Sequence, residues 1–219
     1  MGLEHWNKNQ IKDLKEIISK FPEGGKVLDL GAWKGKTKVL FGKNWEWNGV
    51  DINPSGEGVL FGDAHNLDFD DNSFDIVISI AVFEHLHSPW VAIKEVSRVM
   101  KHGAYFFGTV AFLEPEHDNS YFHMTRNGIS SLMDYAGLTK KYVKPTENWT
   151  VLNSINFLPF PGRNLILYPY SKIILALRSI LIRFRILLRK GEKKDRAIKF
   201  LERDPYKFAG SVRFLCVKD

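Results

Sequence analysis

The sequence predicts an α/β fold built on a mostly parallel sheet, and three apolar stretches carry this prediction. Residues 27–30 form a short, mostly apolar run that leads directly into a loop held between Gly31 and Gly35. A second run, at residues 50–52, follows roughly 20 residues later and has a carboxylate at its centre. Phe74–Ile80 is almost continuously apolar, as expected for a central parallel strand that is buried on both faces. Short apolar strands separated by loops and helical stretches are typical of an open α/β sheet.

Apolar spacing and breaker residues place the elements in the first half of the chain. Apolar side chains recur at helical spacing from Ile11 to Phe21, ahead of Pro22, and predict an amphipathic N-terminal helix within residues 1–25. The elements that follow are a strand at 26–31, a short helix near 37–42, and strands at 47–51, Val59–Phe61 and Phe74–Ile80. The gap between the second and third of these strands is too short for a helix, so we expect a plain loop there.

The same signals place the elements in the second half. The predicted elements are a helix at 89–100, a strand at 104–110, a helix at 127–136, and strands at 138–143 and Ser211–Lys218. Gly103 and Gly137 end the two helices. Apolar and basic side chains alternate within the last strand, which indicates that one of its faces is buried.

The spacing of the glycine loop excludes two common nucleotide-binding motifs. A Walker A loop needs four residues between its glycines, whereas three stand between Gly31 and Gly35. The dinucleotide pattern G-x-G-x-x-G needs a glycine where Trp33 stands. A carboxylate at the end of the second strand, Asp51, suits the two hydroxyls of a ribose. The loop also enters a predicted helix, whose first amides can hold a polar or anionic group. We therefore expect the loop and Asp51 to bind a cofactor that contains a nucleoside.

These residues resemble the first motif of the class I S-adenosylmethionine-dependent methyltransferases. That motif is an acidic residue followed by G-x-G-x-G at the end of the first strand. Here it stands as Asp29, Gly31, Trp33 and Gly35, with Trp33 in place of the middle glycine. Four later stretches resemble further motifs of the family in the same order: 62–67, 69–77, 83–86 and 95–103. The resemblance covers roughly residues 25–145, and five ordered motifs are far more specific than one glycine loop.

The resemblance implies a Rossmann-like class I methyltransferase fold. Its seven-stranded, mostly parallel sheet has the order 3-2-1-4-5-7-6, with helices on both faces. It also implies S-adenosyl-L-methionine as cofactor and S-adenosyl-L-homocysteine as product. The residues implied to bind the cofactor are Asp29, Gly31, Ala32, Trp33, Gly35, Asp51, Ile52, Asp63, Ala64, His65 and Ala81. Asp63 would meet the adenine amino group, although a carboxylate after a strand is also a common turn cap.

The loop at residues 113–125 follows the fifth strand and carries most of the remaining reactive side chains. In methyltransferases of surface polysaccharides and lipid-linked sugars a similar stretch has a His and then D-Y-x-R-x-T. Here His117 is followed by residues 119–125, with His123 in place of the Arg. The resemblance implies O-methylation of a sugar or a lipid-linked glycan. His117 is the first candidate for the general base, followed by His85 and His123, and the predicted substrate contacts are Glu84, Tyr121 and Thr125.

Other functions remain open at this point. The acceptor could be another small molecule of quinone type. The chain could also bind the cofactor without catalysis, as a partner in a glycan-assembly complex, or it could methylate RNA. The His, Glu and Asp side chains of the 113–125 loop are metal-ligand types, but neither an H-x3-H nor an H-E-x-x-H helix is present. We therefore expect no metal.

The positive charge of the chain is concentrated in one segment. The formal net charge is +6, but residues 163–203 carry 12 Lys and Arg against 3 acidic residues. Within this segment a basic amphipathic helix is predicted at 170–190, with apolar side chains on one face. Its apolar runs are far shorter than the ~20 residues of a membrane span. The helix could lie on an anionic membrane surface or pack on protein, and nucleic acid is the weakest of the three alternatives.

Length and cysteine content suit a single domain in a reducing compartment. We expect one methyltransferase domain over residues 1–219, divided into an N-terminal helix at 1–25, a cofactor-binding core at 26–145, a basic helical insertion at 146–210 and the last strand at 211–219. The one cysteine, Cys216, excludes an internal disulfide and lies in an apolar run. Residues 1–10 are polar and do not resemble a secretory signal. We expect a cytoplasmic protein that associates peripherally with the membrane through residues 170–190.

Overall fold

The computed structural model describes residues 6–114, 116–146, 163–188, 190–207 and 209–219. Within them, the strands are β1 (Gly25–Leu30), β2 (Trp45–Asp51), β3 (Val59–Phe61), β4 (Phe74–Ile80), β5 (Met100–Ala111), β6 (Leu138–Pro145) and β7 (Ser211–Lys218). They form a sheet with the order β3-β2-β1-β4-β5-β7-β6. The pairs β1–β2, β1–β4, β2–β3 and β4–β5 are all parallel. The predicted Rossmann-like methyltransferase fold, including its strand order, is confirmed.

The register of the sheet brings several strand ends to one edge. Leu30 at the end of β1 pairs with Val50 of β2 on one side and with Ser79 of β4 on the other. Asp51, the last residue of β2, pairs with Phe61 at the end of β3. Because the strands are parallel, the loops that follow them meet at the same carboxyl-terminal edge, where α/β sheets place their ligands.

Two apolar cores cover the two faces of the sheet. The helices around it are α1 (Lys8–Ile18), α2 (Pro89–Val99) and α3 (Arg126–Tyr135). Leu14 and Ile17 of α1 pack in one core with Val27, whereas Ile93 of α2 and Met133 of α3 pack in the other. Neighbouring residues of β1 alternate between the two cores, as the period of two in a strand requires. Helices therefore lie on both faces, as predicted.

The segment after the glycine loop differs from the prediction. A helix was expected near residues 37–42, but the chain forms a short 3₁₀ helix at Lys36–Leu40. The Thr37 side chain is tied to Asp29 and to the Trp47 indole, and Phe41 already has extended backbone and packs in the core that contains α1. The helical segment therefore ends before Phe41 and is shorter than predicted. The predicted helix N-terminus is therefore that of a five-residue 3₁₀ helix, whose dipole is much smaller than that of a regular α-helix.

The boundaries of α2 and β5 also shift. The predicted helix at 89–100 ends at Val99, and β5 begins at Met100 instead of residue 104. Met100 pairs with Phe74 at the start of β4, and a register irregularity follows between Phe74 and Ile76. Regular pairing resumes at Ile76 with Tyr105, so the Lys101-His102-Gly103 stretch, which was expected to end the helix, lies in the irregular first part of β5. Cys216 of β7 is fully buried, in agreement with its expected place in the core.

The chain divides into two compact units, of which the first contains most of the sheet and residues 116–144. The second unit comprises residues 113–115 and 145–211 and contains α4 (Arg163–Leu187) and α5 (Glu192–Lys207). Helix α4 begins earlier than the predicted helix at 170–190, and α5 was not predicted. Residues 147–162 of the predicted insertion lie outside the described residues. Among the helices the structure describes, we find none that is long and apolar enough to cross a bilayer.

Candidate functional site

A cleft of about 770 Å³ opens at the carboxyl-terminal edge of the sheet, beside the ends of β1, β2 and β4. Its volume lies within the range of small-molecule binding sites in proteins. The residues predicted to bind cofactor that line it are Gly31, Trp33, Asp51, Ile52, Asp63, Ala64, His65 and Ala81. His85 and Tyr121, predicted for catalysis and substrate binding, line it as well. The sequence prediction thus converges on one cleft for most of its residues.

The glycine loop makes a tight turn that admits no side chain at its first glycine. Gly31 has φ 74°, and a Cβ atom built there would lie 2.3 Å from the Val82 side chain. The amides of Gly31 and Ala32 both donate to the Val50 carbonyl, at 2.9 and 3.0 Å. The Gly35 amide donates to the Ala32 carbonyl at 2.7 Å. The turn is therefore fixed against β2 and the loop after β4.

Trp33 takes the backbone conformation that a glycine would normally supply. Its φ is 46°, in the left-handed region that side chains other than glycine rarely adopt. Its carbonyl accepts hydrogen bonds from Ser55 and Gly56, at 3.0 and 2.9 Å. The indole is 49% exposed, lines the cleft and lies under the Lys34 ammonium, which is 4.0 Å from the ring centroid. The replacement of the middle glycine is thus compatible with the loop geometry and adds an aromatic wall.

Asp51 connects the glycine loop to the loop after β2. Its Oδ2 atom accepts a hydrogen bond from the Trp33 amide at 2.8 Å, and its Oδ1 atom accepts one from the Asn53 amide at 2.7 Å. Each carboxylate oxygen has a second lone pair available. The side chain is half-buried and lines the cleft. It can therefore fix two loops and still accept hydrogen bonds from a bound diol.

Asp29 lies behind the loop and does not line the cleft. Its carboxylate is 3% exposed and accepts a hydrogen bond from the Thr37 hydroxyl, which in turn accepts one from the Trp47 indole at 3.1 Å. Burial raises the pKa of Asp29 to about 7. Like Ala32 and Gly35, which also lie outside the cleft lining, Asp29 supports the loop and is not positioned for direct contact with a ligand in the cleft.

Asp63 caps a turn and lines the cleft at the same time. Its Oδ1 atom accepts a hydrogen bond from the His65 amide at 2.9 Å and contacts the His65 Nδ1 atom at 2.6 Å. The His65 Nε2 atom accepts a hydrogen bond from the Ser88 amide at 3.3 Å, so the ring proton belongs on Nδ1. Hydrogen bonding from the His65 amide lowers the pKa of Asp63. Asp63 can therefore cap the turn and still contact a ligand in the cleft, the two roles that the sequence suggests.

A histidine cluster formed by His85, His117 and His123 borders the cleft. The His85 and His117 ring centroids are 5.2 Å apart, and those of His117 and His123 are 5.6 Å apart. Of the three, His85 lines the cleft. Burial and the neighbouring His117 lower the pKa of His85, and His123 Nε2 lies 3.3 Å from the Ser120 hydroxyl. The fold thus brings together the three histidines that the sequence proposes for catalysis, although His85 and His117 are 32 residues apart in the sequence.

Backbone hydrogen bonds bring the two parts of this cluster together. The Glu84 carbonyl accepts hydrogen bonds from the Tyr121 and Phe122 amides, at 2.7 and 3.1 Å. The Met124 amide donates to the Ala111 carbonyl at 2.7 Å, and the Ala111 amide donates to the Glu84 carboxylate at 3.1 Å. The loop after β5 is therefore fixed against the 3₁₀ helix Phe83–His85, which holds His117 beside His85.

Two predicted substrate contacts have structural roles instead. Glu84 is 1% exposed, and its carboxylate points at the Ala111 amide and not at the cleft. The Thr125 hydroxyl accepts a hydrogen bond from the Gly128 amide at 3.1 Å and caps α3. Thr125 does not line the cleft, because its side chain is used by the helix that begins at the next residue. Tyr121 is the predicted substrate residue that lines it.

Besides the strand residues Leu30, Val50 and Ile80, seven residues that line the cleft were not predicted from the sequence. They are Asn53, Gly62, Val82, Leu86, His87, Asp118 and Asn119. All lie in loops at the carboxyl-terminal edge of the sheet, within a few residues of a predicted site residue. The sequence signal that could have identified them is their position close to a predicted site residue. Which side chain of such a loop faces a cleft depends on the backbone path, and that path has no signature in the sequence.

Comparison with known proteins identifies this arrangement. Residues 28–108 match the family model described as a methyltransferase domain. Residues 28–108 therefore resemble a methyltransferase domain. A tRNA (carboxymethyluridine(34)-5-O)-methyltransferase of Arabidopsis thaliana is 32% identical over 144 residues, which are 61% of this chain and 32% of that protein. A 2-methyl-6-phytyl-1,4-hydroquinone methyltransferase of Oryza sativa subsp. japonica is 27% identical over 128 residues, 52% of this chain and 38% of that protein.

A solved structure supports the fold of this methyltransferase domain. Phosphoethanolamine N-methyltransferase 2 of Haemonchus contortus, in complex with phosphomonomethylethanolamine and S-adenosylhomocysteine, superposes with a TM-score of 0.58. It is 15% identical and covers 97% of this chain and 53% of that one. At this identity the likeness concerns the fold alone. The chain spans between 32% and 38% of the length of the two curated relatives, so they share the methyltransferase domain with it and not their full length.

Proposed function

We propose that this chain transfers a methyl group from S-adenosylmethionine to a hydroxyl of a sugar or a lipid-linked glycan. One observation carries the proposal: a single cleft is lined by the glycine loop and Asp51 at one end and by His85 and Tyr121 at the other. The first pair suits a nucleoside, and the second pair suits a hydroxylated acceptor. A methyltransferase domain needs these two half-sites to meet at the reacting atoms.

The cofactor half-site fits S-adenosylmethionine in its donor and acceptor groups. Asp51 offers carboxylate lone pairs to the two ribose hydroxyls, and the amides around Asp63 and Ala64 offer hydrogen bonds to an adenine edge. Trp33 offers an exposed aromatic wall. The bound cofactor supplies a methyl group already activated by a sulfonium. The chain therefore mainly has to hold the acceptor oxygen in line with that methyl group.

Exposed aromatic side chains extend from the acceptor half-site beyond the edge of the cleft, and we name them the aromatic ledge: His87 and Tyr121 line the cleft, whereas Trp90 and Phe122 lie outside its lining. His87 lies 6.4 Å from Tyr121 and Trp90 lies 6.1 Å from Phe122, both between ring centroids in edge contacts. His87 also stacks on His65 at 4.2 Å, close to the proposed adenine position. Flat aromatic surfaces favour ring-shaped acceptors with apolar faces and polar rims, such as sugars.

A histidine of the cluster acts as the general base in this proposal. The acceptor hydroxyl loses its proton as its oxygen forms the bond to the methyl group, and an imidazole nitrogen receives that proton. His117 is the first candidate by resemblance, whereas His85 is the one that lines the cleft. His85 is therefore the candidate for direct contact, with His117 and His123 behind it to orient the ring and pass the proton on.

The test is a methyl-transfer assay with labelled S-adenosylmethionine and a panel of acceptors, followed by mass spectrometry of the products. The panel contains lipid-linked and soluble glycans, quinols and total tRNA. Transfer to a glycan hydroxyl supports the proposal. Transfer to a quinol alone supports the alternative small-molecule acceptor, to which the Oryza relative's name points. Micromolar cofactor binding without transfer to any member of the panel would favour a non-catalytic partner.

RNA methylation is a second candidate, because the Arabidopsis relative is named for a tRNA substrate. The basic segment at 163–203 would then bind the phosphate backbone. Binding of tRNA to the intact chain, measured by fluorescence anisotropy, would weaken steeply between low and physiological salt. If tRNA does not bind at low salt, this candidate is eliminated. Tight binding combined with transfer to a uridine would replace the glycan proposal.

Association with an anionic membrane is the proposed role of α4. Seven of its described apolar side chains are strongly exposed, by 46% to 77%: Ile173, Ile174, Leu177, Ile180, Leu181, Phe184 and Leu187. Arg183 of α4 and Lys190, which follows the helix, are exposed as well. A helix with both exposed apolar and basic side chains suits the interface of an anionic bilayer. The proposal keeps this segment, residues 146–210, as an insertion in the methyltransferase domain.

Vesicle sedimentation tests this association with the full chain. Vesicles that contain phosphatidylglycerol should bind the wild type, and vesicles of phosphatidylcholine alone should bind it much less. The double variant Arg183→Glu/Lys190→Glu should bind at least tenfold more weakly, since each basic residue near such a surface contributes about 1 kcal/mol. Lys140→Glu, in the other compact unit, is the matched charge control. Equal binding by the double variant and the control would contradict the membrane role.

A further inference from the structure

The side chains of Glu84, His85 and His117 converge at one point beside the cleft. One carboxylate oxygen of Glu84 and one ring nitrogen of each histidine all lie within 4.8 Å of one another. All three residues belong to the same compact unit. Glu84 and His85 come from the 3₁₀ helix after β4, and His117 comes from the loop after β5. The sequence showed no metal motif because the ligands come from two separate loops.

We propose that Glu84, His85 and His117 bind a divalent first-row transition-metal ion. Two imidazoles and one carboxylate are the ligand set of many catalytic zinc sites, which keep a fourth position open. Imidazole ligands favour ions such as Zn²⁺ and Co²⁺ over Mg²⁺ and Ca²⁺, which prefer sites made of oxygen. At metal–ligand distances near 2.1 Å, tetrahedral donor atoms lie about 3.4 Å apart. A separation within 4.8 Å therefore needs shifts of about 1 Å, which small side-chain rotations provide.

The surroundings of the three ligands are those of an ordered metal site. The Glu84 carboxylate accepts a hydrogen bond from the Ala111 amide at 3.1 Å, which orients it. The Glu84 carbonyl accepts two amides of the opposite loop, so the distance between the two loops is fixed. Hydrogen bonds to ligating carboxylates are a regular feature of metal sites. Glu84 is 1% exposed, and a buried acid next to two imidazoles is well suited to a cation.

The position of His85 gives such an ion access to the acceptor. His85 lines the cleft next to Tyr121, so the fourth ligand of the ion can come from that side. A hydroxyl bound to a divalent cation loses its proton more readily. His85 would then hold the metal instead of receiving the proton, and His123, whose ring centroid is 5.6 Å from that of His117, would remain as a candidate base. This catalytic consequence rests on the proposed function, whereas binding of the ion does not.

Metal binding is tested on the full, untagged chain after chelator treatment and desalting. Binding of Zn²⁺ is titrated against a competing indicator, and Co²⁺ binding is followed by visible absorption, which reports ligand number and geometry. The ligand variants are His85→Gln, His117→Gln and Glu84→Gln. His102→Gln is the matched control, because His102 lies on β5 and contacts the Asp219 carbonyl far from the cleft lining. Calorimetric titration with S-adenosylhomocysteine is run on the same samples.

The proposal expects one equivalent of Zn²⁺ in the wild type and in His102→Gln, with Mg²⁺ bound far more weakly. Each ligand variant should bind Zn²⁺ at least about 100-fold more weakly. Should Glu84→Gln fail to show a cooperative thermal transition, the two histidine variants decide. Wild type that binds no Zn²⁺, or His85→Gln and His117→Gln that bind it as tightly as His102→Gln, would overturn the metal site. If S-adenosylhomocysteine still binds in that case, the proposed methyltransferase function stands. If the wild type binds neither Zn²⁺ nor S-adenosylhomocysteine, both the metal site and the proposed function are wrong.

Discussion

The Asp51 carboxylate accepts a hydrogen bond from the Trp33 backbone amide at 2.8 Å. One side chain at the end of β2 therefore helps to fix the loop at the end of β1, together with the Val50 carbonyl. If Asp51 also binds the ribose, its removal affects the cofactor twice, through the lost hydroxyl contacts and through the released loop. The two effects separate because Asn preserves a carbonyl oxygen for one amide, whereas Ala preserves neither acceptor.

We expect Asp51→Ala to lower the affinity for S-adenosylhomocysteine by about 100-fold, and Asp51→Asn by about tenfold. Hydrogen bonds to a charged group contribute about 1.5–3 kcal/mol each, which sets this scale. Calorimetric titration measures both affinities. Asp68→Ala is the control, because Asp68 is exposed and outside the cleft lining. Unchanged affinity in Asp51→Ala would mean that the carboxylate does not hold the cofactor.

Trp33 combines a strained backbone with an aromatic wall, and two substitutions separate these features. Trp33→Gly removes the cost of φ 46°, whereas Trp33→Ala keeps that backbone strain and removes the same ring. Both should bind S-adenosylhomocysteine about tenfold more weakly, because each loses one aromatic contact that contributes ~1–1.5 kcal/mol. Trp33→Gly should melt at a higher temperature than Trp33→Ala.

Trp90→Ala serves as the control for ring removal at an exposed tryptophan, since Trp90 does not line the cleft. It should leave cofactor affinity unchanged. If Trp33→Gly binds as tightly as the wild type, the indole makes no contact with the cofactor, and Trp33 is simply a tolerated replacement for glycine. If the two Trp33 variants melt at the same temperature, the left-handed backbone carries no measurable cost.

The sheet and the cofactor half-site were predictable because they depend on local patterns. Residues 27–30 and Phe74–Ile80 are apolar runs whose burial is decided by composition, and parallel strands bring their ends to one edge. Asp51 and Asp63 follow directly from their places at the ends of strands. For such residues, position along the chain nearly fixes position in space.

The acceptor half-site was only partly predictable because it depends on contacts between distant loops. His117 meets His85 only because the Glu84 carbonyl accepts the Tyr121 and Phe122 amides, and backbone acceptors leave no trace in the sequence. Thr125 is chemically suited to bind substrate, yet its hydroxyl caps α3. Helix α5 was missed because it is polar: Ala197 is the buried one among its described side chains. Most of its apolar residues (Ala197, Ile198, Phe200 and Leu201) lie within five consecutive positions, a stretch too short for a helical period to be recognised.

The protonation of Asp29 should make the stability of the protein depend on pH. Burial raises its pKa from an ordinary value of 3.8 to about 7 in the folded state. The folded protein thus binds this proton more tightly than the unfolded chain does. The stabilisation is fully present below about pH 4 and is lost as the pH rises through 7. The contribution of Asp29 to the free energy of unfolding falls by up to about 4 kcal/mol as the pH rises from 4 to 7.

Asp29→Asn removes this dependence, because an amide carries no charge at any of these pH values. Its unfolding free energy, measured by urea denaturation at several pH values, should exceed that of the wild type increasingly from pH 4 to pH 7. Asp70→Asn, at an exposed position, controls for general charge effects. A constant difference between Asp29→Asn and the wild type over this range would mean that Asp29 is ionised in the folded state throughout.

Arg98 joins α2 to the loop between β3 and β4, and its removal should destabilise the fold more than any exposed ion pair would. Its guanidinium donates to the Phe69 and Leu67 carbonyls at 2.7 and 2.8 Å, and to both Glu95 carboxylate oxygens at 2.8 Å. These hydrogen bonds lower the pKa of Glu95, whose carboxylate also accepts the Leu67 amide.

Arg98→Ala should lower the free energy of unfolding by about 3 kcal/mol, since it leaves two carbonyls and a half-buried carboxylate without their donor. Arg98→Lys should recover less than half of this, because an ammonium cannot reproduce the planar fork. Lys140→Ala, which breaks the exposed pair with Asp134, should cost at most about 1 kcal/mol. Urea denaturation of the three variants measures these values. Equal costs for Arg98→Ala and Lys140→Ala would show that the loop between β3 and β4 is held by its apolar contacts, through Leu67 and Phe69, and not by the guanidinium.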